Sequence, residues 1–157
     1  MQESSQVDSQ VEPPHPAADV LDHVGYRLKR AHAALRAAMD QVLREHGLTV
    51  PQYACLEVLA ARPGMSNAEL ARATFVTRQS MNVVLRGLQD DGLLTRPSTV
   101  DHGRARPATL TGEGRRRLGA AQAAVYAIES RMVQALPEGR LTALLDDFDS
   151  ITRALTD

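Results

Sequence analysis

From Asp19 onward, apolar residues recur with a helical period. Leu21, Leu28, Leu35 and Val42 stand seven apart with Val24, Ala31 and Ala38 between them, so the pattern predicts a helix from Asp19 to His46, stopped by Gly47. Roughly 28 residues at 1.5 Å each would make it about 42 Å long, more than one side of a small domain requires. The stripe is therefore expected to pack against another chain as well. Residues 1–18 (MQESSQVDSQVEPPHPAA) are polar, contain three prolines and have no period, which predicts a disordered tail.

A second helix is predicted over Pro51–Arg62, with Pro51 suited to its first position, Tyr53, Leu56, Leu59 and Ala60 on the inner face, and Pro63-Gly64 as its end. Ser66 and Glu69 form a capping box for a short third helix, 67–73. Thr77 is an N-cap for a fourth helix ending near Asp91, with Gly92 free to turn left-handed. Leu93–Arg96 and Ala108–Thr111 read as two short strands around a polar, glycine-containing tip, a β-hairpin. Thr111 caps a fifth helix to about Leu136, and Pro137 separates it from a sixth that carries Leu141, Leu144, Leu145, Phe148, Ile151 and Leu155.

The order gives a mainly α fold with a small β-hairpin wing. Residues 48–111 form a winged helix-turn-helix lobe; residues 19–47 and 112–157 supply a helical dimerisation region, all within one domain. Composition agrees: 157 residues suit one domain, 23 alanines and 3% aromatics suit helices packed through small side chains, and a lone cysteine excludes internal disulfides. No apolar run approaches the roughly 18 residues needed to span a bilayer, and the acidic N-terminus lacks the basic and apolar parts of a signal peptide. A soluble, cytoplasmic protein without membrane contact is expected.

Charge is unevenly placed. Residues 62–117 hold ten arginines against five acids, net +5, whereas residues 1–61 and 118–157 are each at −3. An anionic partner such as nucleic acid should meet the middle segment. On the fourth helix, Met81, Val84, Leu85 and Leu88 follow i, i+3, i+4, i+7 and must face a core, which turns Arg78, Gln79, Asn82, Arg86 and Gln89 outward. Arginine pairs with guanine, and asparagine or glutamine with adenine, so these outward residues are of the types that read base edges. Ser66, Thr77, Ser80 and Arg86 are candidates for phosphate contact. In the hairpin, Arg104 or Arg106 could enter a narrow minor groove with Asp101 holding the guanidinium. Arg115-Arg116-Arg117 could touch phosphates or simply face water.

These segments together resemble the MarR family of bacterial transcriptional regulators. The resemblance covers about residues 20–155 and rests on LTVPQYACLEVLA, SNAELARATFVTRQSMNVVLRGLQDDGLLTR and DHGRARPATLTGEG, the last similar to the family's wing signature closing in Leu-Thr-x-x-Gly. It implies a homodimer with interdigitated terminal helices, a pseudo-palindromic double-stranded DNA operator, repression by family habit, and release by a small aromatic or phenolic anion. It puts Arg78, Gln79 and Asn82 in the base-reading part of the recognition helix and Arg104 at the wing arginine. Gly103 and Ala105 flank Arg104 where the commoner wing has adjacent arginines, so Arg104 and Arg106 both stay open for the minor groove.

The resemblance also implies an effector crevice, for which His23, Tyr26, Arg27, Arg30, His32 and Tyr53 are the polar candidates. Cys55 offers a redox alternative, although oxidant-sensing members use a cysteine near the start of the first helix, and a buried inert thiol fits its setting in the second helix better. The remaining alternative is a winged-helix module that binds protein without DNA. The histidines have no second metal ligand at helical spacing, and the chain shows no nucleophile–base pair or phosphate loop, so neither metal site, cofactor nor enzymatic activity is expected.

Overall fold

The computed structural model describes residues 19–96 and 107–156. It divides into two units, residues 1–34 and 35–157, with the division inside the first helix.

In the first unit the predicted continuous helix from Asp19 does not form. The Asp19 carboxylate accepts from the Leu21 N–H at 3.1 Å and caps a 3-10 turn, Val20–Asp22, after which His23 is extended. Helix α1, Val24–Glu45, therefore starts five residues later than the apolar stripe suggests and is about 33 Å long rather than 42 Å. The heptad positions are visible in the pattern, but a side-chain cap competing for the backbone donors of the first turn is stronger locally.

The second unit contains the remainder of α1 and all later elements: α2 (Val50–Ala61), α3 (Asn67–Ala73), α4 (Arg78–Asp90), β1 (Leu94–Thr95), β2 (Thr109–Leu110), α5 (Gly112–Gln134) and α6 (Arg140–Thr156). The cap residues predicted from sequence are in place. Ser66 and Glu69 close a capping box on α3, Thr77 accepts from Ser80 N–H at the start of α4, and Thr111 accepts from Gly114 N–H at the start of α5. A further box, Thr49 with Gln52, starts α2 one residue before Pro51. Helices α1 and α4 both end in a left-handed glycine, Gly47 and Gly92, and the next residue, Leu48 or Leu93, is buried in the core.

That core is built from α2, α3, α4, the hairpin base and the first half of α5. Leu56, Leu70, Met81, Leu85, Leu88, Leu94 and Leu118 meet there together with Leu43 from the end of α1. Each such side chain contributes about 1.5–3 kcal/mol of burial. The two strands pair antiparallel, Leu94 with Leu110 and Thr95 with Thr109, shorter than the four-residue strands expected. Gly114 lets α5 sit directly on this base: a Cβ there would lie 2.2 Å from the Leu93 carbonyl oxygen. The glycine of Leu-Thr-x-x-Gly is thus a packing requirement. Helix α6, by contrast, buries no residue.

Candidate nucleic-acid interface

Helix α4 is held from behind. Met81, Leu85 and Leu88 are buried and Val84 half-buried, which fixes the helix's rotation and turns Arg78, Gln79, Asn82, Arg86 and Gln89 to the exposed side, as the spacing predicts. Among the described residues, neither Arg78 nor Arg86 is paired with a carboxylate. Toward the described residues, both guanidinium groups remain open to an external anion.

At the N-terminus of α4, the Thr77 hydroxyl accepts from Ser80 N–H at 3.0 Å and donates to Ser80 Oγ at 2.9 Å. Both side chains are exposed beside the unpaired N–H groups of the first turn, the arrangement that attracts a phosphate. Ser66 is exposed at the start of α3, where its backbone N–H donates to Glu69 at 2.7 Å. Those bonds from Ser66 hold the Glu69 carboxyl below the ordinary carboxylate range.

The structure adds three residues that the sequence pattern did not single out. Asn67 donates through its side-chain amide to Asn82 Oδ1, so α3 grips a candidate base reader fifteen residues away. That bond takes one of the two acceptor positions on Asn82 Oδ1, which leaves the second lone pair and the amide NH2 for the two-point pairing with adenine expected from its residue type. Val83, 66% exposed, joins Gln79, Asn82 and Arg86 in one i, i+3, i+4, i+7 stripe, outside the face formed by Met81, Val84, Leu85 and Leu88. Phe75, in the turn between α3 and α4, is 95% exposed. The Asn67 contact is beyond sequence reasoning, because nothing local marks its distant partner.

Asp101, Arg104 and Arg106 lie outside the described residues; the hairpin base that carries them is anchored by buried Leu94, Ala108 and Leu110. In the arginine cluster, Arg116 and Arg117 both pair with Glu113, whose carboxyl is held low by them.

The effector candidates fare differently. His23, Tyr26, Arg27, Arg30 and His32 are exposed in the first unit, with Arg27 bonded to Asp22 at 2.8 Å. Tyr53 is a core residue: it is 2% exposed, its hydroxyl donates to Glu57 at 2.8 Å, and burial, with the Glu57 charge, raises its pKa well above the usual tyrosine value. A surface depression of about 480 Å³ lined by Glu45, His46, Gly47, Glu113, Arg116 and Arg117 includes none of the six. The redox alternative is corrected too. Cys55 is fully buried and burial pushes its thiol up to about 12, the opposite of the accessible, low-pKa thiol that oxidant sensing needs.

Comparison with known proteins agrees with this architecture. A family model described as MarR family matches residues 46–105. The HTH-type transcriptional repressor Rv2887 of Mycobacterium tuberculosis is 46% identical over 120 residues, 76% of this chain and 83% of that protein. The crystal structure of Rv2887 in complex with salicylic acid matches at a TM-score of 0.67 and 40% identity, covering 86% of this chain and 98% of that one. A structure of the M. tuberculosis protein in complex with DNA matches at a TM-score of 0.64 and 38% identity, covering 86% and 98%. A recognition helix with its base-reading types outward, a glycine-seated wing base and kinship across three quarters of its length make this chain a member of the MarR family.

Proposed function

We propose that this chain is a homodimeric, sequence-specific DNA-binding transcriptional repressor, released from a pseudo-palindromic operator by a small aromatic or phenolic acid. The observation that carries the reading is the display of Arg78, Gln79, Asn82 and Arg86 on a helix whose opposite face is locked into the core. Arg78, Gln79 and Asn82 read base edges in the major groove, while Ser66, Thr77, Ser80 and Arg86 hold phosphates. One wing arginine, Arg104 or Arg106, oriented by Asp101, enters the minor groove.

Residues 19–47 and 112–157 join two copies, and the exposed apolar face of α6 supports that assignment. Two lobes so joined meet half-sites about 34 Å apart, one helical turn. The relative's complexes with DNA and with salicylic acid support both the partner and the effector class. The acid's carboxylate binds a cation of the first helix, Arg27 or Arg30, with His23, Tyr26 and His32 along the same segment. Binding favours lobe spacings that miss the half-sites, a population shift in which a coupling of about 1–3 kcal/mol suffices for several-fold to hundredfold release. Among the described residues no helix is long and apolar enough to cross a membrane; the proposed place of action is the bacterial cytoplasm, and the role is binding rather than catalysis.

The test is a titration of the purified chain against duplexes selected from a random-sequence pool, at two salt concentrations, with and without salicylate. The expected result is tight binding to selected duplexes that weakens with salt and with salicylate. Equal affinity for selected and scrambled duplexes would overturn the reading.

A further inference from the structure

Phe75 occupies a backbone position that suits glycine. Its φ is 58°, in the left-handed region where a bulky side chain crowds the backbone. The Phe75 N–H donates to Arg72 O at 3.3 Å and the Val76 N–H to Ala71 O at 3.0 Å, the paired closure that commonly ends a helix with glycine at this place. Helices α1 and α4 make the same closure with Gly47 and Gly92, at φ 64° and 70°. The chain thus follows the glycine rule twice and breaks it at the helix-turn-helix turn.

The core does not account for the exception, because the ring is 95% exposed and gains no burial. Strain without internal benefit points to an external contact. The neighbours say which kind: exposed Arg72 precedes Phe75, and exposed Thr77, Arg78 and Gln79 follow it into the first turn of the recognition helix. An apolar ring among cations and hydrogen-bond donors suits a surface that is anionic with apolar points. The major groove is such a surface, its apolar point being the C5-methyl of thymine.

We infer that Phe75 is a specificity-determining residue whose ring packs against a thymine C5-methyl at the leading edge of the recognition helix. The assignment rests on the DNA-binding reading above. The probe is a duplex that the wild-type chain selects from a random-sequence pool, with each thymine replaced in turn by deoxyuridine, which removes only the methyl. Wild type, Phe75→Gly and Phe75→Ala are compared.

Phe75→Gly should melt no lower than wild type, since glycine accepts the left-handed backbone, yet bind the selected duplex about fivefold more weakly. One thymine replacement in each half-site should weaken wild type by a similar factor and leave both variants unaffected. The assignment is overturned if Phe75→Gly binds as tightly as wild type, if its melting temperature drops sharply, or if no thymine replacement affects wild type. Phe75→Ala serves as the second variant should Phe75→Gly fail to fold, and a replacement series without effect on wild type overturns the assignment with no variant at all. A wild-type chain that enriches no duplex overturns the DNA-binding reading itself, an outcome recognisable before any variant is made.

Discussion

Leu85 on α4 and Leu145 on α6 are leucines on helices of similar apolar spacing, yet Leu85 is 2% exposed and Leu145 is 54% exposed. The winged lobe closes its core within one chain. Helix α6 leaves Leu141, Leu145, Phe148 and Leu155 open to solvent. Apolar periodicity therefore specifies a face but not what covers it. In the lobe the cover is supplied by α2, α3, the hairpin base and α5; for α6 the proposed cover is a second copy.

The contrast can be broken most forcefully by cutting into each region. Leu85→Ala should cost about 2–5 kcal/mol in denaturant unfolding, because it opens a cavity in a closed core. Leu145→Asp should leave the lobe's circular dichroism intact and convert the dimer to a monomer in sedimentation. A monomeric wild type would remove the second half of the contrast.

A smaller effect is expected where α5 meets the hairpin base. Gly114→Ala places a methyl group against the Leu93 carbonyl, and the required shift should cost about 1–3 kcal/mol, read as a lower melting temperature. A neutral outcome would mean that α5 slides freely on the wing base. Cys55 sharpens the lobe's closure chemically. With its thiol pushed up to about 12 and no exposure, it should alkylate with iodoacetamide far more slowly in the native protein than in denaturant.

The smallest expected effect is in acid. Glu69 and Glu113 have folded pKa values below their ordinary range. Their stabilisation is therefore present above the unfolded value and is lost as pH falls through the folded one. Glu69→Gln keeps a capping-box acceptor on α3 and should flatten that acid limb slightly in a pH series of melting temperatures.

The lobe was largely legible in the sequence because its signals are local. Thr77, Met81, Leu85, Leu88 and Gly92 mark the ends and inner face of α4 within sixteen residues, and the structure reproduces each. Legibility failed where a competing or distant contact decided the outcome. Asp19 capped a 3-10 turn and delayed α1 despite an apolar stripe running through it. For Tyr53 the predicted inner-face position holds, and its hydroxyl donates to Glu57 one helical turn away. Asn67 gave no local sign of gripping Asn82. Phe75 was hidden for the opposite reason: pattern reading looks for glycine at a left-handed turn, and none was there.

The outward face of α4 is tested most directly by measuring Arg78→Ala and Asn82→Ala against a selected and a scrambled duplex at one fixed salt concentration. Each variant should lose about 1–3 kcal/mol of affinity for the selected duplex and little for the scrambled one. Equal losses on both would reduce these side chains to general phosphate contacts and contradict base reading by this helix.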